Sequence, residues 1–308
     1  MIELISLFAV YIAIFLFGMT VMRTGLYNLS GNKMKEWLVK FTGNPWKGMI
    51  VGAIITAVIQ SSSAVMILIV GLVATGYLTF KQSIGIILGT NIGTTVTTEL
   101  ISFHIYEAIV PLLIIGFLCL LLQNRQLFSI GAMLFGLGCL FVAMNGFEQL
   151  ARPLASIPAV HTFFEYTNEN GLFGVVVGTF LTAIIQSSTA TTGIIMGFIN
   201  EHLLTLNAGV AIVLGANIGT CITAFLASIG ASREAKLTAY AHIWLNVFGV
   251  LLFYPLINSL GSVASMLTSL PDVQLAHVSL IFNTLTSLIA LPLTGLLAAF
   301  ILKVHKKA

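Results

Sequence analysis

The sequence carries very little charge. Only 7% of its 308 residues are charged, 58% are hydrophobic, and the mean hydropathy is +1.04. Soluble domains carry roughly 25% charged residues. A net charge of +3 is too small to indicate a nucleic-acid partner. The composition excludes an ordinary soluble domain and predicts an all-α polytopic membrane protein whose surroundings are the lipid bilayer.

Other absences narrow the functional class. Cys119, Cys139 and Cys221 are scattered and form no CxxC pair, so no disulfide framework or thiolate metal site is expected. Seven prolines and the lack of alternating polar and apolar stretches argue against an outer-membrane barrel. No HExxH or GxSxG motif occurs, and the six histidines lie outside the hydroxyl-rich motifs, most of them near predicted span ends. A membrane enzyme with a serine nucleophile is the alternative, but it would lack a base within hydrogen-bond reach, so we expect no enzyme and no cofactor.

What the chain does have is a hydroxyl-rich stretch that occurs twice. The first copy contains AIITAVIQSSSA and then GTNIGTT, and the second contains TFLTAIIQSSTA and then GANIGTC. Gln60 and Gln186 are 126 positions apart, and so are Asn91 and Asn217. The constant offset indicates an internal duplication. Polar residues inside apolar sequence usually mark an ion or substrate path in a membrane protein.

Each copy predicts a re-entrant helical hairpin. The apolar arm over residues 46–60 has 15 residues and would reach only about 22 Å, which is short of a roughly 30 Å hydrocarbon core. Three serines interrupt it, and a second short arm follows over residues 64–75. The second copy has arms over 172–186 and 190–200. One continuous helix with a hydroxyl stripe is the alternative.

A discontinuous transmembrane helix is predicted after each hairpin, over residues 82–103 and 207–228. Gly89, Asn91 and Gly93 lie near the middle of the first of these segments. Freed backbone carbonyls at a broken helix are typical of ion sites in transporters.

The remaining spans are predicted over residues 4–22, 108–122, 128–147, 237–258 and 277–302. The first is expected to be a retained span and not a signal peptide, because Glu3 stands where a basic region would be needed. Residues 1–126 form the first repeat unit and 127–260 the second, inverted unit. Residues 261–308 supply an external loop, the last span and a basic cytoplasmic tail.

Charge predicts the orientation. We assume that each hairpin returns to the side of the membrane from which it entered. Twelve of the thirteen Lys and Arg residues then fall on one side of the membrane, and Arg152 is the exception. The positive-inside rule then places the N-terminus outside and the C-terminus in the cytoplasm of an inner or plasma membrane. The same layout makes the two repeat units inverted, which is typical of secondary transporters.

The two hairpin tips have the chemistry of an anion site flanked by cation ligands. Each tip would lie at the N-terminus of a returning arm, where backbone N–H groups and the helix dipole favour an anion. Neither motif contains Lys or Arg, so dipoles and co-bound cations would hold the anion. The NIGT motifs contain no carboxylate, and neutral oxygen ligands suit Na⁺ better than a divalent ion. Close helix packing by small residues is the alternative function of these positions.

The paired motifs, QSSSA with GTNIGTT and QSSTAT with GANIGT, resemble the type II sodium-dependent phosphate cotransporters and their bacterial relatives. The resemblance covers nearly the whole chain. It implies transport of inorganic phosphate coupled to Na⁺, by an elevator-like movement of the hairpin core. Another small anion, such as dicarboxylate or sulfate, or phosphate export on the same scaffold remains an alternative. Whether the protein acts alone or as a homodimer is left open.

The resemblance also implies two sets of site residues. The phosphate set comprises Gln60, Ser61, Ser62, Ser63, Gln186, Ser187, Ser188 and Thr189. The sodium set comprises Gln60, Ser62, Asn91, Thr94, Thr95, Gln186, Ser188, Asn217 and Thr220. The second copy departs from the first at Thr189 in place of Ser63 and at Cys221 in place of Thr95.

Overall fold

The computed structural model describes residues 2–30, 33–103 and 105–306, and this part of the chain is built from helices. The α-helices are α1 (Ile2–Ser30), α2 (Lys33–Lys40), α3 (Pro45–Ile59), α4 (Ser62–Ala74), α5 (Phe80–Ile101), α6 (Ile109–Leu120), α7 (Arg125–Ala155), α8 (Pro158–Glu169), α9 (Gly171–Ile185), α10 (Ser188–Asn200), α11 (Leu206–Gly219), α12 (Cys221–Ala227), α13 (Arg233–Phe253), α14 (Ile257–Leu267), α15 (Pro271–Ala290) and α16 (Thr294–Val304). Short 3₁₀ turns precede α6, α14 and α16.

Six helical segments of the described chain are long and apolar enough to cross a membrane. They are Ile2–Ser30, Phe80–Ile101, Arg125–Ala155, Leu206–Ala227, Arg233–Leu267 and Pro271–Val304. The helices of both predicted hairpins are shorter, as is the apolar helix Tyr106–Leu120. The prediction of an all-α polytopic membrane protein is confirmed.

Each hairpin consists of two helices joined by a short tip. In the first, a Cβ added at Gly85 would lie 2.6 Å from the Pro45 carbonyl oxygen, and one at Gly93 would lie 2.5 Å from that of Ala53. Helices α3 and α5 therefore run in the same direction, so α4 must carry the chain back between them. The second unit repeats this arrangement, with Gly215 against Val175 and Gly219 against Thr182. The predicted helical hairpins are therefore confirmed, and the alternative of one continuous helix is wrong.

The two units are inverted relative to each other. Helix α15 runs antiparallel to α5, because His277 pairs with Glu99 at 2.9 Å and the Ser287 hydroxyl donates to the Leu88 carbonyl at 3.0 Å. The start of α11 lies beside the start of α15, where Gly209 faces Leu275. Helix α13 runs parallel to α5, because Ser83 lies beside Thr238 and Asn91 beside Asn246. Asn207 bonds to Asn258 and Cys221 to the His242 carbonyl, so α11 is antiparallel to α13 and hence to α5. The inverted relation is confirmed, whereas the unit boundaries at 126 and 260 stay a prediction.

The predicted break in the first long helix was wrong. Helix α5 is continuous through Gly89, Asn91 and Gly93. The reason is that these glycines serve close packing against α3, while the nearby hydroxyls donate to carbonyls of their own helix and leave the ladder intact. In the second unit the helix is interrupted only at Thr220, whose backbone keeps helical angles of φ −64 and ψ −20.

Several predicted loops are helical. Helix α1 continues past the predicted end at residue 22, the basic segment after it contains α2, and the predicted external loop over 148–170 holds the end of α7 and all of α8. The chain bends by 119° between α8 and α9. The loop expected at the start of the third segment contains α14. Helix propensity and tertiary packing extend these helices beyond the apolar runs from which the spans were predicted.

The buried apolar residues form two clusters, and each hairpin belongs to a different one. The first cluster contains Phe15, Phe147 and Phe282 together with Ile194 and other residues of α10. The second contains residues of α3, α4, α5, α13 and α16. Each hairpin is therefore anchored by its own part of the core.

Charged residues separate toward opposite ends of the bundle. Arg233 donates to the Lys306 carbonyl at 3.4 Å, and the hydroxyls of Ser83 and Thr238 lie 3.0 Å apart, so the starts of α5 and α13 lie beside the end of α16. The Lys and Arg residues at that end include Lys47, Lys81, Arg233, Lys236, Lys303 and Lys306. The opposite end carries Glu99, Glu148, Glu201 and Asp272, with Arg152 bound to Glu201.

Candidate functional site

The first hairpin tip is a two-residue turn that starts a new helix. Gln60 ends α3 with φ 58 and ψ 30, and its N–H donates to the Thr56 carbonyl at 2.7 Å. Ser61 is extended and caps α4, its hydroxyl accepting from the Ala64 N–H at 3.2 Å. The N–H groups in the first turn of an α-helix have no acceptor within the helix. The backbone of Ser62 and Ser63 therefore offers donors to an anion.

The second tip reproduces the first. Gln186 has φ 58 and ψ 28, and Ser187 caps α10 through the Ala190 N–H at 3.2 Å. A left-handed conformation in a residue other than glycine costs about 1–3 kcal/mol and persists where the surroundings impose it. The same backbone at both tips indicates a functional geometry. The tips differ in burial, since Gln60 is 7% exposed whereas Gln186 is an exposed residue.

Each hairpin packs against the long helix of the other unit, and the first does so at its tip. The Thr223 hydroxyl donates to the Ser63 hydroxyl at 3.3 Å, and α4 contacts α12. Helix α10 likewise contacts α5. Within the described ranges the structure records no hydrogen bond that joins one tip directly to the other. Each hairpin therefore contacts the opposite unit, and an anion shared by the two tips stays a prediction.

The two NIGT motifs are connected through α13. Asn91 donates to the Asn246 side-chain oxygen at 3.0 Å, and Asn246 donates to the Cys221 sulfur and the His242 carbonyl, both at 3.1 Å. Asn217 instead donates to the Val213 carbonyl at 2.9 Å. Asn91, Cys221, His242 and Asn246 are all buried. This network fixes the position of the first motif against the second unit.

The threonines of these motifs keep acceptor capacity. Thr94, Thr95 and Thr220 donate their hydroxyl protons to carbonyls of their own helices at 2.8, 2.7 and 2.7 Å. A hydroxyl that donates in this way still has lone pairs for a cation.

Four buried side-chain oxygens have no hydrogen-bond partner in the described structure: Gln60 Oε1, Thr56 Oγ1, Thr97 Oγ1 and Thr286 Oγ1. The first two lie one helical turn apart. Neutral oxygens of this kind fit an alkali cation, and no cluster of three or more His, Cys, Asp or Glu residues occurs in the searched part of the chain.

Sequence reasoning missed four residues around the tips. Thr223 follows the second NIGT motif, and its counterpart 126 positions earlier is the unpartnered Thr97. His242 and Asn246 lie four positions apart in an apolar helix, a spacing that puts both on one face and could have revealed them. Arg23 was assigned to a loop, although it lies inside α1 and its Nε donates to the Gln60 carbonyl at 2.7 Å. Neither motif contains an arginine, but Arg23 reaches the first tip from α1.

Comparison with known proteins agrees with this geometry. A family model described as Na⁺/Pi-cotransporter matches residues 14–149 and 154–276. An uncharacterised protein of Bacillus subtilis, YqeW, is 40% identical over 296 residues, which are 96% of each chain. YjbB of Escherichia coli, named as a candidate inorganic phosphate export protein, is 24% identical over 94% of this chain and 53% of its own length.

A further relative covers a shorter stretch. Sodium-dependent phosphate transport protein 2A of Ovis aries is 35% identical over 94 residues, which are 29% of this chain and 15% of that protein. No solved structure matches the chain. The family model covers most of the chain, including both tips and both NIGT motifs. The chain therefore belongs to the Na⁺/Pi-cotransporter family.

Proposed function

We propose that this multi-pass membrane protein is a secondary transporter that couples Na⁺ to the movement of inorganic phosphate across the inner or plasma membrane. The observation that carries the proposal is the pair of inverted hairpin tips with the same backbone geometry. Family membership supports phosphate as the substrate and a transporter in place of an enzyme.

The phosphate would lie between the two tips. Backbone N–H groups at the starts of α4 and α10, with the hydroxyls of Ser62, Ser63, Ser188 and Thr189, would donate to its oxygens. The caps Ser61 and Ser187 hold these helix starts in place. Within the bilayer the tips would lie in a low-dielectric surrounding, which strengthens such interactions.

Sodium ions would bind at the neutral oxygens behind each tip. Gln60 Oε1 offers an unpartnered acceptor in the first unit, and Asn91, Thr94 and Thr95 lie on the neighbouring helix. In the second unit Gln186, Asn217 and Thr220 are the corresponding ligands. A cation at these positions would offset the charge of the anion in the membrane.

Alternating access would use an elevator-like movement. Helices α3 and α9 each pack through glycines on the long helix of their own unit, so a hairpin and its long helix would move as one body. Helices α1 and α6 both pack on α7, and the three would form the stationary part. Rigid bodies that rock around a midplane site are the usual device of inverted-repeat transporters.

The orientation leads to a labelling experiment. The end that holds Lys40, Lys81 and Lys303 would be cytoplasmic, and the end that holds Glu165 external. In a cysteine-free background, an impermeant thiol reagent applied to intact cells should label Glu165→Cys but not Lys40→Cys. Permeabilised cells should show both. External labelling at Lys40→Cys would reverse the proposed orientation.

Coupling to sodium leads to a transport experiment. Moving a phosphate dianion inward against about 100 mV costs roughly 4.6 kcal/mol, at ~2.3 per charge. A ~10-fold Na⁺ gradient supplies roughly 1.4 kcal/mol per ion, and the potential adds ~2.3. At least two Na⁺ are therefore expected per phosphate. Uptake of radiolabelled phosphate by proteoliposomes should show a sigmoidal dependence on Na⁺, and full activity with choline would contradict coupling.

Phosphate export is the second candidate, because YjbB is named for that direction. The two directions are separated by comparing right-side-out and inverted vesicles under the same Na⁺ gradient. Competition by sulfate and by dicarboxylates in the same assay tests whether another anion is the substrate.

A further inference from the structure

An arginine inside the first membrane helix reaches the first hairpin tip. Arg23 lies seven positions before the end of α1, and its Nε donates to the Gln60 carbonyl oxygen at 2.7 Å. Helix α1 also contacts α3, which ends at this tip. The guanidinium is therefore held beside the starting turn of α4, where the backbone donors of Ser62 and Ser63 lie.

Arg23 has no carboxylate partner in the part of the chain that the structure describes. The ion pairs there join Arg152 to Glu201, His161 to Glu165 and His277 to Glu99. A charged residue in a membrane span is costly and usually pairs with another group or marks a substrate path. An anion that binds at the tip would supply the missing negative charge.

The remaining donors of Arg23 suit an oxyanion. Its Nε is used by the Gln60 carbonyl, and its two terminal nitrogens make no recorded hydrogen bond with the described residues. The planar fork of a guanidinium matches phosphate geometry better than a point charge does. Gln60 Oε1, also without a partner and on a residue that is 7% exposed, can only accept. Its two lone pairs let it accept a proton while it binds a sodium ion.

A donor fork beside an acceptor distinguishes between oxyanions. Hydrogen phosphate has negative oxygens for Arg23 and a P–OH proton for Gln60 Oε1. Sulfate has the same charge but no proton to donate. A site that hydrogen-bonds a substrate hydroxyl rejects an analogue that lacks it.

The second tip has no equivalent. The structure records no side-chain donor to the Gln186 carbonyl within its described ranges, and Gln186 itself is exposed. The second tip can offer helix-start donors, hydroxyls and the Gln186 amide, all of them uncharged. A permanent positive charge, supplied by α1, therefore lies beside the first tip and not beside the second.

We propose that Arg23 and Gln60 Oε1 form a subsite for hydrogen phosphate at the first tip, with the guanidinium binding the anionic oxygens and the amide oxygen accepting the P–OH proton. This subsite rests on the proposed function, because it specifies how that site selects its substrate. It makes Arg23 a phosphate-binding residue and the first hairpin the one that fixes anion selectivity.

The test measures phosphate binding by the full chain in zwitterionic nanodiscs, with radiolabelled inorganic phosphate at saturating Na⁺. Arg23→Gln keeps a donor for the Gln60 carbonyl but loses the charge, and should weaken phosphate binding about 10- to 100-fold. Arg23→Lys keeps the charge and should bind with intermediate affinity. Arg125→Gln removes one exposed charge at the start of α7 and should bind like the wild type.

Sulfate competition tests the acceptor. Gln60→Met lacks Oε1 and should reduce the preference for phosphate over sulfate, whereas Arg23→Gln should weaken both anions. Sodium binding without phosphate, followed as a thermal shift, should stay unchanged in Arg23→Gln. A purely structural anchor would lower sodium and phosphate affinity together.

The outcomes separate this subsite from the proposed function. If the wild type binds phosphate and Arg23→Gln binds it with the same affinity, the subsite is overturned and the proposed phosphate transport is not affected. No phosphate binding or transport by wild type overturns both. If Arg23→Gln does not fold, wild-type affinity in Arg23→Lys together with unchanged sulfate competition in Gln60→Met overturns the subsite. Anionic lipid could instead stabilise the wild type but not Arg23→Gln against thermal unfolding, while inorganic phosphate has no effect. Arg23 would then bind a lipid headgroup, and the subsite would be overturned too.

Discussion

Replacing Gln60 and Gln186 by alanine should weaken phosphate binding about 5- to 150-fold each, and the double variant should lose less than the product of the two. Each substitution removes a side-chain amide that would bind the phosphate or its co-bound sodium, at a cost of about 1–3 kcal/mol. Groups that act on the same ligand are not additive. Gln60→Ala should have the larger effect, because Gln60 is buried and lies beside Arg23 whereas Gln186 is exposed. The measurement is a double-mutant cycle on phosphate binding at fixed Na⁺.

The matched control is Gln123→Ala, an exposed glutamine in the turn between α6 and α7. It should leave phosphate affinity at the wild-type value. Ser63→Thr copies the second tip and should be tolerated far better than Ser62→Ala. Strict additivity of the two glutamine variants, with unaltered sodium dependence in both, would show that the tips bind no common anion.

Gly89→Ala and Gly215→Ala should destabilise the protein by about 1–3 kcal/mol each and reduce transport. A Cβ at Gly89 would overlap the Met49 carbonyl oxygen, and one at Gly215 would overlap that of Val175. Backbone oxygen atoms cannot move aside as a flexible side chain can, so the hairpin helix would have to shift from its long helix. Thermal unfolding of the purified variants in detergent measures the loss.

Gly71→Ala is the control for this pair, since nothing lies within 4 Å of an added Cβ at Gly71 in α4. Alanine is preferred over glycine in a helix by roughly 0.5–1 kcal/mol, so this variant should be as stable as wild type or more so. Unchanged thermal stability in Gly89→Ala would mean that α3 and α5 are not held by this contact.

The hairpins were predictable from the sequence because their signal is local and occurs twice. The arms were too short to cross a membrane, and the tip serines sat where a new helix needs a cap. The structure ends α3 at Ile59 and starts α4 at Ser62, within two residues of the predicted arms. The inverted relation also followed, since charge placed the two hairpins on opposite sides.

The long helices were predicted less well because a glycine in a membrane helix can mark either a break in the helix or a close contact with another helix. Gly89 and Gly93 resembled a helix break, but the structure uses them for close contact with α3, and α5 continues through them. Arg23 and Asn246 reach the site from other helices. No pattern in one stretch shows which distant helix packs against a tip, so only the tertiary contacts could place them there.

The contact between Ser63 and Thr223 restricts how a protein with two repeat units could have evolved from one with a single unit. Because the first tip is completed by a residue of the second half, a polypeptide with one half alone would leave its tip unsupported. Two identical half-length copies could support each other only if they entered the bilayer in opposite directions. A single-copy ancestor would thus have needed dual insertion, and gene fusion would have fixed one direction for each half.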